Sequence, residues 1–388
     1  MMGMLKRNIM VRLLPLVVVA TLLTGCERRP ILHLDYNGDI DIDLPIVELR
    51  LDVFWNYNAE IDGDYDWKAE WYYGWDDEDK KLFGEIGYTK PAAFYIRRYY
   101  TGDEAYASHR SVLSDFINGY TYSGSFDWGF WDLLAWNEIV TDDGVQSLRF
   151  DEQSTLEYVT AYTGQTMNSA SYQAPKYTRS FYQPEQLFSA YSQALEINKN
   201  LEGFVYDEER NVWVKQLEML LRPVTYIYLT QVIIHHNKGK ITGVDGNANM
   251  SGMARSVNMN TGVTGSDPIT VHYYVRFKNN CDMKGESVDI AGGRLVTFGL
   301  CNTNGSRATE TVNDGIRHYM DVNMQFSNGN DSTFVFDVTD QVRKRYRGGV
   351  ITVELDADSI VPPARKGGSG FDAVVKDFED GGTHEFEM

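Results

Sequence analysis

The chain is poor in cysteine, with three in 388 residues, and poor in proline, with ten. So few cysteines exclude the disulfide-dense scaffolds that hold small exported domains together. After residue 25 no apolar run approaches the roughly 20 residues that cross a hydrocarbon core. Serine-nucleophile elbows, zinc-protease helices, P-loops and dinucleotide fingerprints are missing too, so no enzyme activity, cofactor or metal ligand set is expected. Carboxylates abound, but nothing selects a glycosidase pair among them. Positive charge is scarce: 36 Lys and Arg stand against 55 Asp and Glu, a net charge of −19. That imbalance repels phosphate backbones and argues against nucleic acid as a partner.

What is present begins with an address. Lys6, Arg7 and Arg12 precede an apolar run from Leu13 to Leu23, and Leu22-Leu23-Thr24-Gly25-Cys26 closes it. This is the layout of a bacterial lipobox, and the run is too short for a transmembrane anchor. Residues 1–25 are expected to be a lipoprotein signal peptide, with Cys26 the lipidated residue holding the protein to the outer membrane, and 26–44 an acidic tether. Two cysteines remain, Cys281 and Cys301, which flank an apparent strand; a disulfide and two buried thiols are both compatible with that placement.

Tyrosine (25), phenylalanine (18) and tryptophan (8) are plentiful and no long helical period follows the leader, which favours sheets. Val47, Leu49, Leu51, Val53 and Trp55 alternate with polar residues as a half-buried strand does. Ala92 to Tyr100 is a second candidate. Phe126 to Val140 is apolar on both faces, as a central strand would be. From about 163 to 205 the alternation lapses, and Pro184 to Tyr191 reads as a short helix with proline in its first turn. Alternation returns at Val224 to Ile234, Ile269 to Lys278, Leu295 to Leu300, Tyr319 to Phe326 and Val350 to Leu355. Asn328-Gly329-Asn330-Asp331 supplies a hairpin turn. The Gly-, Asn- and Met-rich span 242–264 reads as a long connection. The expected organisation is all-β, with an N-terminal β-sandwich over 45–165, a linker with a short helix over 166–204, and a C-terminal β-sandwich over 205–388.

Four clusters bear on function. Asp35, Asn37, Asp39, Asp41 and Asp43 imitate the start of a calcium loop, but Ile40 and Ile46 stand where an EF-hand needs glycine and glutamate. Trp67, Trp71 and Trp75, with Tyr72 and Tyr73, sit beside four acids; they read either as a glycan-stacking platform or, more commonly for aromatics, as core. His235-His236 should close a strand, pointing to opposite faces rather than sharing an ion. Arg343, Lys344, Arg345 and Arg347 form a basic run on an acidic chain, usually a solvated face.

Three stretches resemble the fimbrillin-associated lipoproteins of Bacteroidetes-type bacteria: the aromatic strand from Phe126 to Asn137, the segment Arg222 to Leu229 running into Thr242 to Gly246, and Gly293 to Leu300, together with the lipobox. The resemblance implies two tandem transthyretin-like, fimbrillin-like sandwiches on a lipid-anchored outer-membrane protein with a role in fimbrial anchoring, assembly or adhesion. It also implies fimbrial subunits as partners through strand addition. Glu27-Arg28-Arg29 lacks the acidic run that often accompanies export to the outer leaflet. A glycan-binding surface lipoprotein is the alternative function.

Overall fold

In the computed structural model the described residues are 47–55, 66–141, 146–151, 159–164, 180–303, 315–364, 373–375 and 386–387. The lipobox, Cys26 and the Asp35 to Asp43 series lie outside them. In chain order, β1 (Val47–Trp55), β2 (Ala93–Gly102), β3 (Ser111–Asn118), β4 (Thr121–Ser125) and β5 (Gly129–Asn137) come first. Short strands β6 (Leu148–Asp151), β7 (Thr160–Thr163) and β8 (Ser180–Tyr182) precede β9 (Phe188–Ile197), β10 (Val205–Asp207) and β11 (Val212–Pro223). The second half holds β12 (Tyr226–His235), β13 (Ile241–Ala254), β14 (Ser256–Asn258), β15 (Pro268–Met283), β16 (Glu286–Thr297), β17 (Tyr319–Phe326), β18 (Asp331–Asp337), β19 (Gly349–Asp356), β20 (Ala373–Val375) and β21 (Phe386–Glu387). Among the described residues two α-helices interrupt them, α1 (Asp77–Phe83) and α2 (Thr339–Lys344).

The first sheet runs β3-β2-β5-β9-β11-β1-β4, with β10 on β11; the second runs β19-β12-β16-β15-β13-β17-β18-β20-β21, with β8 on β15. Each folds over on one long strand. The first part of β15 pairs with β13 and its later part with β16, so Tyr228, Val232 and Ile351 on one layer face Met250, Val271 and Phe336 on the other. In the first half β11 pairs with β1 and then, at Arg222 and Pro223, with β9, around Phe94, Trp131, Phe188 and Leu221. β5 is flanked by β2 and β9 and is buried from Trp131 to Asn137, the central strand that the aromatic run suggests. Asn328-Gly329-Asn330 turns β17 into β18, Gly329 adopting φ +79°.

Three expectations need correction. Pro184 to Tyr191 is not a helix: Phe188 begins β9, its N–H donating to Asn137 Oδ1 at 2.7 Å, because pairing with β5 outweighs local helix propensity. The chain over 205–223, assigned by sequence to the C-terminal sandwich, forms β10 and β11 in the first sheet, and the sheets change between Pro223 and Tyr226. The span 242–264 is largely strand. β13 carries Ala248, Met250 and Met253 into the core, but bulges between Val244 and Ala248 and between Ser251 and Met253 break its alternation. Gly246 and Gly252, at φ +90° and +85°, sit within those bulges, which is why the stretch resembles a loop in sequence.

Between β1 and β2 the chain lies as a strap across the outer face of β12, β16 and β19. Trp71 and Tyr73 are buried there against Ile227, Leu229, Ile233, Ile290 and Val350, with Trp67 and Trp75 half-buried beside them. Gln231, fully buried on β12, accepts from the Tyr72 and Tyr73 N–H groups at 3.0 and 3.3 Å, and donates to Glu70 O at 2.7 Å and Thr352 Oγ1 at 2.9 Å. Asp76 caps α1 in a reciprocal capping box with Asp79. Asp79, wholly buried, accepts from Tyr73 Oη at 2.7 Å, Lys278 Nζ at 2.5 Å and Arg276 at 3.0 Å.

Candidate docking edge

β3 ends the first sheet, and among the described residues it pairs only with β2. Its register follows Phe94 opposite Ile117 and Arg98 opposite Leu113. Gly119 N–H donates to Ala92 O at 2.9 Å, while Glu138 N–H donates to Ala93 O at 2.8 Å on the β5 side. Backbone polarity alternates along an antiparallel ladder, so Leu113, Asp115 and Ile117 bond inward to β2, and Val112, Ser114 and Phe116 turn their N–H and C=O groups to the open edge. Side chains on the edge are apolar and uncovered: Val112 is 37% exposed, Leu113 44% and Phe116 46%. The one charged residue of β3, Asp115, points inward. It is held 3.0 Å from Arg98 Nε and accepts from Tyr122 Oη at 2.8 Å, while Arg98 donates to Ser125 O and stacks over Phe126. Burial and the Asp115 bond push the Tyr122 hydroxyl pKa up.

An aromatic row crosses the sheet at right angles to this edge. Phe116 lies 4.9 Å from Tyr95, Tyr95 stacks on Trp136 at 5.6 Å, and Trp136 meets Phe150 at 6.0 Å. The row stiffens β3 against β2 and β5 and ends with Phe116 on the free side. Proline, lysine and inward unpaired charge, the devices that blunt edges, are all missing from β3.

The residues singled out by sequence fall elsewhere. Trp71 Nε1 donates to Gly74 O and Trp75 Nε1 to Gly84 O, with Trp75 packed on Phe83; the Trp67, Trp71 and Trp75 group is the strap's packing face rather than an open platform. Cys281 and Cys301 are both thiols. Cys281 packs beside the strap and Cys301 in a separate cluster with Phe298 and Met259, so no disulfide joins them. His235 meets Glu286 and Glu354, and His236 meets Asp356. Glu354 and Asp356 share a face of β19 and the two rings lie 6.2 Å apart, so the pair does not point to opposite faces; His236, at φ +50°, has already left the extended strand. Arg345 pairs with Glu70 on the strap and Arg343 donates to Ile316 O. Sequence alone did not mark Val112, Ser114 and Phe116, although Ser111 to Asn118 mixes apolar and small polar residues without a clean alternation.

An uncovered edge strand of this kind presents unpaired N–H and C=O groups to which another strand can add. No family model matches the chain, and no curated protein matches it. Among solved structures it is similar to a candidate adhesin from Bacteroides ovatus, with 15% identity over 84% of this chain and 98% of that one and a TM-score of 0.44. It is also similar to the fimbrial anchor protein from Porphyromonas gingivalis, with 11% identity over 80% and 90% of the two chains and a TM-score of 0.36. A third is a candidate polysaccharide-binding protein from Bacteroides thetaiotaomicron, with 8% identity over 80% and 91% and a TM-score of 0.40.

Proposed function

We propose that this is a non-enzymatic, lipid-anchored protein of the cell envelope that acts as a structural, anchoring or adhesive subunit of a fimbria. Cys26 supplies the membrane attachment and the β3 edge receives the fimbrial partner. The observation that carries the reading is the edge itself: outward N–H and C=O groups at Val112, Ser114 and Phe116 with apolar side chains beside them, a ready template for an added strand. Among the described residues no helix is long and apolar enough to cross a membrane.

Ser114→Pro tests it. Proline there removes an outward backbone donor and no backbone bond to β2, losing besides it the bond from Arg97 Nε to Ser114 Oγ, so the fold should hold to within about 2 kcal/mol. Wild-type protein should co-purify with fimbriae sheared from the producing cells, and Ser114→Pro or Phe116→Lys should reduce that recovery at least tenfold. Wild-type protein absent from fimbriae would refute the fimbrial role; undiminished recovery of both variants would refute the edge.

A further inference from the structure

The outer face of the β13-β15-β17-β18 layer holds a set of buried oxygens that the fold leaves unanswered. In register, Asp321 on β17 lies opposite Asn249 on β13, and Asn249 lies opposite His272 on β15. Asn323 follows two residues after Asp321 on the same face. Asn249 is 1% exposed, Asp321 2% and Asn323 4%. Asn249 Oδ1 meets His272 Nδ1 at 3.3 Å, and Asn323 Nδ2 donates to Asp331 Oδ2 at 3.0 Å and Thr333 Oγ1 at 3.3 Å. That leaves both carboxylate oxygens of Asp321 and Oδ1 of Asn323 buried with no hydrogen-bond partner. The Asn249 side-chain amide and the backbone N–H groups of Asn249 and Asp321 lie beside the carboxylate and ease its charge, yet none of them reaches hydrogen-bond geometry with its oxygens.

The surrounding charge is of one sign. Asp245, carried in by the first bulge of β13, adds its negative charge to that at Asp321, and Asp331 acts in the same way on Asp245. Burial holds the carboxyls of Asp245 and Asp321 above the usual aspartate range, and burial lowers the proton affinity of His272. An uncompensated buried carboxylate costs several kcal/mol unless something neutralises it.

We propose that Asp321 and Asn323 Oδ1 are ligands for a hard divalent cation of the Ca²⁺ type, with water filling the remaining positions and Asp245 and Asp331 supplying further negative charge. Oxygen-only donors suit such an ion and not a thiophilic metal. Two protein ligands put the affinity in the weak range, on the order of 10⁻⁴ to 10⁻³ M. The site is distinct from the β3 edge and does not depend on the fimbrial reading.

The test is thermal unfolding of the EDTA-stripped full chain titrated with CaCl₂. Wild type should gain about 2–4 °C at 10 mM Ca²⁺. Asp321→Asn, isosteric and one charge fewer, should melt no lower than wild type in EDTA and should lose the Ca²⁺ response. Asn323→Asp, adding a charge at the second ligand, should reach the same gain at lower Ca²⁺. The proposal fails if wild type shows no shift with Ca²⁺, Mg²⁺ or Mn²⁺, or if Asp321→Asn responds as wild type does. A stripped wild type stabilised by acid, with no cation response, would make a proton the occupant and also overturn it.

Discussion

Single residues carry much of the specificity of this fold. A Cβ on Gly292 would lie 2.5 Å from the Tyr73 ring, which is itself clamped by Asp79, so β16 needs a residue without a side chain under the strap. Gly292→Ala should therefore cost about 1–3 kcal/mol, read from the midpoint of urea unfolding. Asp321 gives a pH-dependent prediction. Its carboxyl is pushed up to about 6 by burial, against 3.8 for an ordinary aspartate, so the protonated form is the one the folded state prefers. The stability this contributes is fully present below pH 3.8 and is lost as pH rises through about 6. In EDTA at pH 8, Asp321→Asn should exceed wild type by up to roughly 3 kcal/mol, and the difference should vanish near pH 3.5. A constant difference across that range would place the effect elsewhere.

At the scale of elements, the strap and β3 show what the sequence could and could not disclose. β2, β12, β17 and β19 were legible because one buried face, or two, leaves a period of two or a continuous apolar run. β9 and β13 were not. β9 forms by pairing with a strand more than 50 residues earlier, and the bulges of β13 shift its core residues out of phase. The strap's tryptophans were visible as a cluster, but only the long-range bonds to Gln231, Arg276 and Lys278 decide that they cover β12 and β16. Asp79→Ala would remove the buried acceptor of Tyr73, Lys278 and Arg276, leaving the two cations only Asp76 and Glu78 at the rim, and should destabilise by about 2–4 kcal/mol. Limited proteolysis should then cut first between residues 66 and 88; cleavage unchanged from wild type would show that the clasp does not hold the strap. The docking edge itself was illegible, since being last in a sheet depends on which strand fails to pair, not on local composition.

For the whole molecule, a chain of net charge −19 has no electrostatic means of attracting an acidic partner, and the outward face of β3 offers Val112, Ser114 and Phe116, all uncharged. Docking through main-chain hydrogen bonds and apolar contact should therefore persist at 0.5 M NaCl, where exposed charge pairs are largely screened. Loss of fimbrial co-purification at that salt would point to a charged surface instead. Under the proposed function, lipidation of Cys26 would hold the protein at the membrane and the strand edge would join it to the fibre. The most direct measurement is hydrogen–deuterium exchange of the full chain alone and bound to isolated fimbriae. The account predicts that amides in the 111–118 peptide, open in the free protein, slow by at least tenfold on binding, while those of the strap stay as they were. Equal exchange in β3 under both conditions, with protection arising on another surface, would contradict it.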